Sequence, residues 1–443
     1  MLTRVGAEKP SHSMGDPRHT GRAACQAEDT ATSGTVAIIR SGGVVSTTID
    51  TSGEVRDIDT GAPPQRYARG WHCLGLVRDF ADGAPHQVAA FGTELVVFAG
   101  EDGTLNVLDA FCRHMGGNLA LGTVKGNTIA CPFHDWRWRG DGKCAGIPYA
   151  KRVPPIARTR AWTSTVVSGQ LFVWHDPQGS VPPPGLAIPE IPTYGDEGWT
   201  DWVWNSIDVT GSHCREIVDN VVDMAHFFYV HYGMPTYFRN VFEGHIASQV
   251  MRSRPRADAA GVSQSTNYST ESQSDASYFG PSYMIDKLWS GGRDHDGDPN
   301  IYLVNCHYPI SPTSFRLQYG VLVEKPAGMG DDQANQIAQA VAKGVAIGFE
   351  QDVQIWKNKS RIDNPLLCEE DGPVYQLRRW YEQFYVDVED IAPEMVNRFE
   401  YQIDTERALK SWQAEVDENL AAGRSALEAT RVPSALTSRG ENQ

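Results

Sequence analysis

The chain has 443 residues, 41% of them apolar and 21% charged, with 42 Gly, 26 Pro and a formal charge of -16. That length allows two or three domains with sizeable cores, and the Gly and Pro content points to many turns. The acidic balance argues against a nucleic-acid partner, which needs basic surface to displace counterions, and leaves an acidic face open to a basic protein partner.

No run of about 18 apolar residues marks a membrane span. The first twenty residues alternate charge, Pro, Gly and His where a secretory signal would be apolar. Cys25, Cys73, Cys112, Cys131, Cys144, Cys214, Cys306 and Cys368 are scattered along a chain read as cytoplasmic. Metal ligation or inert burial is expected of them rather than a disulfide framework.

Residues 1–53 are rich in Ser, Thr, Gly and Ala and read as an extension without order, with Met14 as an alternative start. Its apolar runs are Val36–Arg40 and Val44-Val45. Residues 54–180 read as an all-β unit. Glu94–Ala99, the turn Gly100-Glu101-Asp102-Gly103 and Thr104–Leu108 predict a hairpin. Lys125-Gly126-Asn127 and Gly140-Asp141-Gly142 predict further turns, and Gln170–Trp174 a closing strand. Pro182-Pro183-Pro184-Gly185 marks a domain boundary.

From 181 to 423 the pattern becomes α+β. Ser212–Val230 reads as one buried helix. Strands are expected near 245–250, 299–306 and 315–324. Asp331–Lys357 reads as a long helix with an acidic start and Ile337, Val341, Val345, Gly348 and Phe349 on one face. Met395–Leu420 reads as a second. The polar, Gly/Ser-rich stretch 250–298, with Ser263–Ser277 and Gly291-Gly292, is expected to be a mobile substrate-entry loop. Residues 424–443 read as a frayed tail.

Two clusters carry the chemistry. The first is Cys112-x-His114, sixteen residues, then Cys131-x-x-His134. A Rieske [2Fe–2S] centre holds one iron by two Cys and the other by two His. Gly116 and Gly117 free the first loop to bend around such a cluster, and Pro132 stiffens the second. Zinc also takes two Cys and two His. The usual finger, however, pairs Cys with Cys and His with His, whereas each half here holds one of each.

The second cluster is Asp223-x-x-His226-x4-His231. Two His and one carboxylate on one face of Fe(II) leave open positions for oxygen. His226 and His231 are five apart, so they lie about 140° apart on a regular helix. They share a metal only if the helix ends near Tyr229–Tyr232, which Gly233 and Pro235 favour. Asp223 is placed to orient a ligand imidazole. A distant carboxylate must complete the set, and spacing alone does not separate Asp352 from Glu350. Phe227, Phe228, Tyr232, Tyr237, Phe238, Phe242 and Met234 surround the histidines. Most read as core, with a few lining an apolar pocket.

The runs Cys112-Arg113-His114-Met115-Gly116-Gly117 and Cys131-Pro132-Phe133-His134-Asp135-Trp136-Arg137-Trp138, with the stretch Asp219–His231, resemble Rieske non-haem iron oxygenases. More narrowly they resemble the 3-ketosteroid 9α-hydroxylase oxygenase components. Tyr67-Ala68-Arg69-Gly70-Trp71-His72, Pro235–His245 and Arg361-Ile362-Asp363-Asn364-Pro365-Leu366-Leu367 extend the likeness to residues 54–420. Asn118 departs from it, standing where Asp is usual.

The resemblance implies an N-terminal all-β Rieske domain and a helix-grip-like α+β catalytic domain with an antiparallel sheet. Cys112, His114, Cys131 and His134 would hold one [2Fe–2S] cluster. His226, His231 and Asp352 would hold one mononuclear Fe(II). Asp223 would bridge His134 of one subunit to His226 of its neighbour in a head-to-tail homotrimer, and Asn220 matches an amide position near the iron. The implied reaction is hydroxylation of a 3-ketosteroid, at C9, with O2 and electrons brought from NADH by a separate ferredoxin reductase component. A Rieske oxygenase for another polycyclic or aromatic compound is the near alternative. A Rieske electron carrier without catalysis is the distant one, and leaves the second histidine set without a purpose.

Overall fold

The computed structural model describes residues 35–40, 43–48, 57–259, 270–292 and 296–429. Within the expected extension, Thr35–Arg40 pairs antiparallel with Gly43–Thr48; Met14, Cys25 and the tail from residue 430 lie outside the described residues. Residues from Asp59 onward form a separate unit.

Its N-terminal part holds three small sheets. Thr93–Ala99 lies between His86–Ala90 and Leu105–Asp109. The unbroken apolar run Leu95-Val96-Val97-Phe98 is explained by burial on both faces. Leu95 and Val97 pack in one core with Val107 and Val173. Val96 and Phe98 pack in another with Leu108, Ile129 and Trp138, a core that also takes in Cys112 and Cys131. Gln170–His175 pairs with Ser164–Val167 and Gly70–Leu76. The third sheet runs Cys144–Gly146, Arg137–Arg139, Thr128–Ala130, Thr123–Lys125. Its Lys125-Gly126-Asn127 turn uses φ +61 at Gly126, where other residues are strained.

The C-terminal part is built on one antiparallel sheet of eight strands. In spatial order these are Val203–Thr210, Ser314–Val323, Ile301–Ser311, Tyr283–Trp289, Ser272–Phe279, Ile246–Pro255, Gly233–Glu243 and Phe399–Gln402. The long helix forms over Asp331–Asn358 and packs on the first two strands. The architecture is the expected all-β Rieske unit followed by α+β with an antiparallel sheet. No helix among the described residues is long and apolar enough to cross a membrane.

Several local expectations are corrected. The long helix buries Ala338 and Ala342 against Ile301, Val321 and Val323, whereas Ile337 is exposed. Small side chains at i, i+4 spacing let the helix approach the sheet closely; of the expected face, Val341, Val345 and Phe349 do pack inward, and Ile337 alone departs from it. Ser212–Val230 is not one helix. It divides into Arg215–Val218, a 3₁₀ turn at Asp219–Val221 and Ala225–Tyr229. Asp219 is drawn aside by Arg361 and Arg378, and the Asp223 carboxylate accepts the His226 N–H at 3.2 Å, starting the chain afresh.

Met395–Leu420 likewise contains the edge strand Phe399–Gln402 before a helix at Glu406–Ala421. The stretch 250–298 is largely sheet rather than loop, although 260–269 and 293–295 lie outside the described residues. The strands Val203–Thr210 and Gly233–Glu243 and the helix Val374–Glu382 also form where none was expected.

Candidate metal centres and cavity

The two Cys/His pairs sit on neighbouring loops. The Cys112 N–H donates to the Gly117 carbonyl at 2.8 Å, and the Gly116 N–H to the Cys112 carbonyl at 2.9 Å. The second loop joins Thr128–Ala130 to Arg137–Arg139. It is closed by the Cys131 N–H on the Trp136 carbonyl and the Asp135 N–H on the Cys131 carbonyl, both at 2.9 Å. The Trp138 indole donates to Cys112 Sγ at 3.3 Å. The His114 and His134 rings lie 4.7 Å apart, and His114 stacks on Trp136.

This pocket suits an iron–sulfur pair. His134 Nδ1 is buried without a hydrogen-bond partner, as a nitrogen aimed at a metal would be. A Cβ on Gly117 would lie 2.6 Å from Cys131 Sγ, so the loop needs glycine to pass beside the thiol. All seven described cysteines are free.

The second set converges as the helix-end argument requires. The helix stops at Tyr229, the Val230 N–H bonds the His226 carbonyl at 2.7 Å, and Tyr232 adopts φ +58 before the strand begins at Gly233. That left-handed residue is uncommon outside glycine and turns the chain sharply. Ligand atoms of His226, His231 and Asp352 then lie within 4.8 Å of one another. His231 Nε2 is 3.2 Å from Asp352 Oδ1. Asp352 is buried and Glu350 exposed, so geometry separates the two candidates that spacing left open. Gly348, one turn before Asp352, lies beside the His231 ring, which a Cβ there would meet at an ordinary contact distance of 3.7 Å.

Neighbouring groups fix each donor. His226 Nδ1 bonds the Asp223 carbonyl and lies 3.7 Å from its carboxylate, leaving Nε2 for a metal. His231 Nδ1 lies 3.2 Å from Gln351 Oε1 and, as donor, presents a lone pair at Nε2. Asn220 donates to Asp352 Oδ2 at 3.1 Å. Burial pulls the His231 pKa down, but the bond and charge of Asp352 outweigh it, and the net shift is upward. Gln351 has no signal in the sequence beyond standing next to Asp352.

His226, His231, Asp352 and Asn220 line a cavity of about 290 Å³, close to the size at which small-molecule sites begin. Its walls are mainly apolar, among them Ile217, Val221, Met251 and Leu303. Of the aromatics expected here, Phe227 lines it, whereas Phe228, Phe238 and Phe242 are core. Four polar residues missed in the sequence also reach it from the sheet: Gln249, Ser274, Asp286 and Asn305. Ser274 Oγ donates to Asp286 at 2.8 Å, and burial pushes the Asp286 carboxyl up to about 7. Asn305 Oδ1 is buried without a partner.

Comparison with known proteins finds matches in both parts of the chain. Residues 70–157 match the Rieske [2Fe-2S] domain, and residues 173–385 match the 3-ketosteroid 9alpha-hydroxylase C-terminal domain. A probable 3-ketosteroid-9-alpha-monooxygenase oxygenase component of Rhodococcus rhodochrous is 84% identical over 377 residues, 85% of this chain and 94% of that protein. The 3-ketosteroid-9-alpha-monooxygenase oxygenase component of Mycobacterium tuberculosis is 59% identical over 374 residues, 84% of this chain and 96% of that one. The crystal structure of dicamba monooxygenase bound to dicamba shares the fold at 18% identity, with a TM-score of 0.59, covering 72% of this chain and 97% of that one.

The chain is thus an oxidoreductase whose cofactors are a Rieske [2Fe–2S] cluster and a mononuclear iron, served by a separate reductase. It belongs to the family of 3-ketosteroid-9-alpha-monooxygenase oxygenase components.

Proposed function

We propose that this chain hydroxylates a 3-ketosteroid at C9, and that His226, His231 and Asp352 hold the iron at which this occurs. The observation that carries the reading is the cavity itself, which joins a set of three metal-donor side chains to apolar walls and a small polar group on the sheet. Iron bound by that set supplies oxygen activation, and a cluster bound by Cys112, His114, Cys131 and His134 supplies electrons.

The remaining work belongs to the side chains. Ile217, Val221, Phe227, Met251 and Leu303 exclude water and take up the fused-ring body. Asp286 in its neutral form, or the Asn305 amide, donates to a ketone oxygen and so fixes which carbon faces His226 and His231. Asn220 and Gln351 hold Asp352 and His231 in register.

The Asp223 side chain is 50% exposed although its backbone is tied to His226, which leaves carboxylate surface for a neighbouring chain. We read it as the acceptor for His134 of the next subunit, which makes a homotrimer the working unit, with electrons drawn from NADH through a ferredoxin reductase. Oxygen uptake with reductase and a panel of 3-ketosteroids, with product analysis, tests the reading. Steroid-dependent uptake giving a 9-hydroxy product supports it. Uptake stimulated only by non-steroidal aromatic compounds would refute it. Ultracentrifugation tests the assembly.

A further inference from the structure

The ending of the helix Ala225–Tyr229 brings His226 and His231 together, yet neither histidine fixes that ending. A helix terminus leaves orphan carbonyls that need donors. Here one buried arginine supplies a donor to the helix end and a second to the turn that follows it. Arg256 Nη1 donates to the Phe228 carbonyl at 3.2 Å, and its backbone N–H donates to the Tyr232 carbonyl at 3.0 Å. Phe228 and Tyr232 stand on either side of His231 in sequence.

The guanidinium lies 3.8 Å over the Phe228 ring, which also stacks on Trp412 at 4.8 Å. Its side chain has no exposed surface. A charge so buried is tolerated only when its donors are matched. Asp258 accepts a fork from Nε and Nη2 at 3.0 and 2.8 Å, and Glu415 accepts from Nη2 at 3.1 Å. Asn419 completes the set by donating to Asp258 Oδ2 at 2.8 Å. Trp412, Glu415 and Asn419 all belong to the helix Glu406–Ala421.

We propose that Arg256 is a positioning residue for the mononuclear iron: it holds open the helix break that aims His226 and His231 at one point, and ties that break to the helix Glu406–Ala421. The proposal rests on the reading of His226, His231 and Asp352 as the iron site. Lysine cannot replace Arg256, because a point charge cannot serve the Asp258 fork and the Phe228 carbonyl in one plane.

The test is the rate at which a ferrous chelator strips mononuclear iron from the holoenzyme, with Rieske absorbance confirming the fold. Asp352→Ala serves as the control for the site itself. A wild-type chelatable pool that Asp352→Ala still contains would sink the site reading rather than this proposal. Arg256→Lys and Arg256→Gln should lose iron about tenfold or more faster than wild type, as expected when a ligand's supporting shell is removed. Leu322→Ala, a core change on another part of the sheet, should lower thermal stability without speeding iron loss. Wild-type release rates in both Arg256 variants, or equal acceleration in Leu322→Ala, would overturn the proposal. Should the Arg256 variants not fold, Glu415→Gln and Asn419→Ala decide it: release several-fold faster than wild type supports the clamp, and unchanged release removes it.

Discussion

Asp286 offers a quantitative test of how the cavity recognises its substrate. Burial holds the carboxyl up at about 7, the Ser274 hydroxyl pulls against that shift, and Asp275 adds to it. Its folded pKa is raised, so the neutral, hydrogen-donating form prevails below about pH 7 and is lost above it. A neutral carboxyl donates to a ketone oxygen, whereas the carboxylate repels it. If binding requires the proton, steroid affinity is flat below neutrality and falls about tenfold per pH unit above it, or about a hundredfold by pH 9. Asp286→Asn keeps a donor and has no proton to lose. Its affinity should be independent of pH and within about tenfold of wild type at pH 6, since a neutral hydrogen bond contributes about 1 kcal/mol. Equilibrium dialysis of a labelled 3-ketosteroid from pH 6 to 9 measures both. A flat wild-type profile, or the same slope in Asp286→Asn, would refute the assignment of Asp286 to the ketone.

Three further substitutions probe the metal centres. Gln351→Leu removes the acceptor that orients His231 and should weaken mononuclear iron binding about 10–100-fold, read by metal titration, with the Rieske spectrum unchanged. Gly117→Ala places a Cβ 2.6 Å from Cys131 Sγ; the chain should accumulate without the Rieske absorbance, and a normal cluster content would show that the loop has more room than its geometry allows. Asp223→Asn should retain both metals yet lose most product in a single turnover, while wild-type single-turnover rates would remove Asp223 from the link between centres.

What the sequence revealed follows from how local each feature is. Cys112, His114, Cys131 and His134 lie in two short loops whose spacing is itself the ligand pattern, so that site is legible directly. The His226–His231 pair was legible only as a condition, a helix that must end, and the φ +58 at Tyr232 is how it ends. Asp352 could not be told from Glu350, because both stand among apolar residues at helical spacing; the packing of Val353 and Trp356 into the core is what turns Asp352 inward and leaves Glu350 exposed.

The strands Ser272–Phe279 and Tyr283–Trp289, and the second half of Ile246–Pro255, were hidden for a functional reason. Gln249, Ser274 and Asp286 face the cavity, so the inward positions are polar and the alternation that marks a half-buried strand is lost. The Arg256 network was invisible for a different reason: it joins residues about 160 apart in the chain, and no local pattern reports such a pairing.

Iron content of wild type and Asp352→Ala, measured beside the Rieske spectrum and steroid hydroxylation, tests the central claim most directly. Wild type should carry about three irons per chain, two in the cluster and one in the cavity. Asp352→Ala should keep about two, with an unchanged Rieske spectrum and no hydroxylated steroid. A variant that retained the third iron and its turnover would contradict the assignment of His226, His231 and Asp352 as the site of oxygen chemistry.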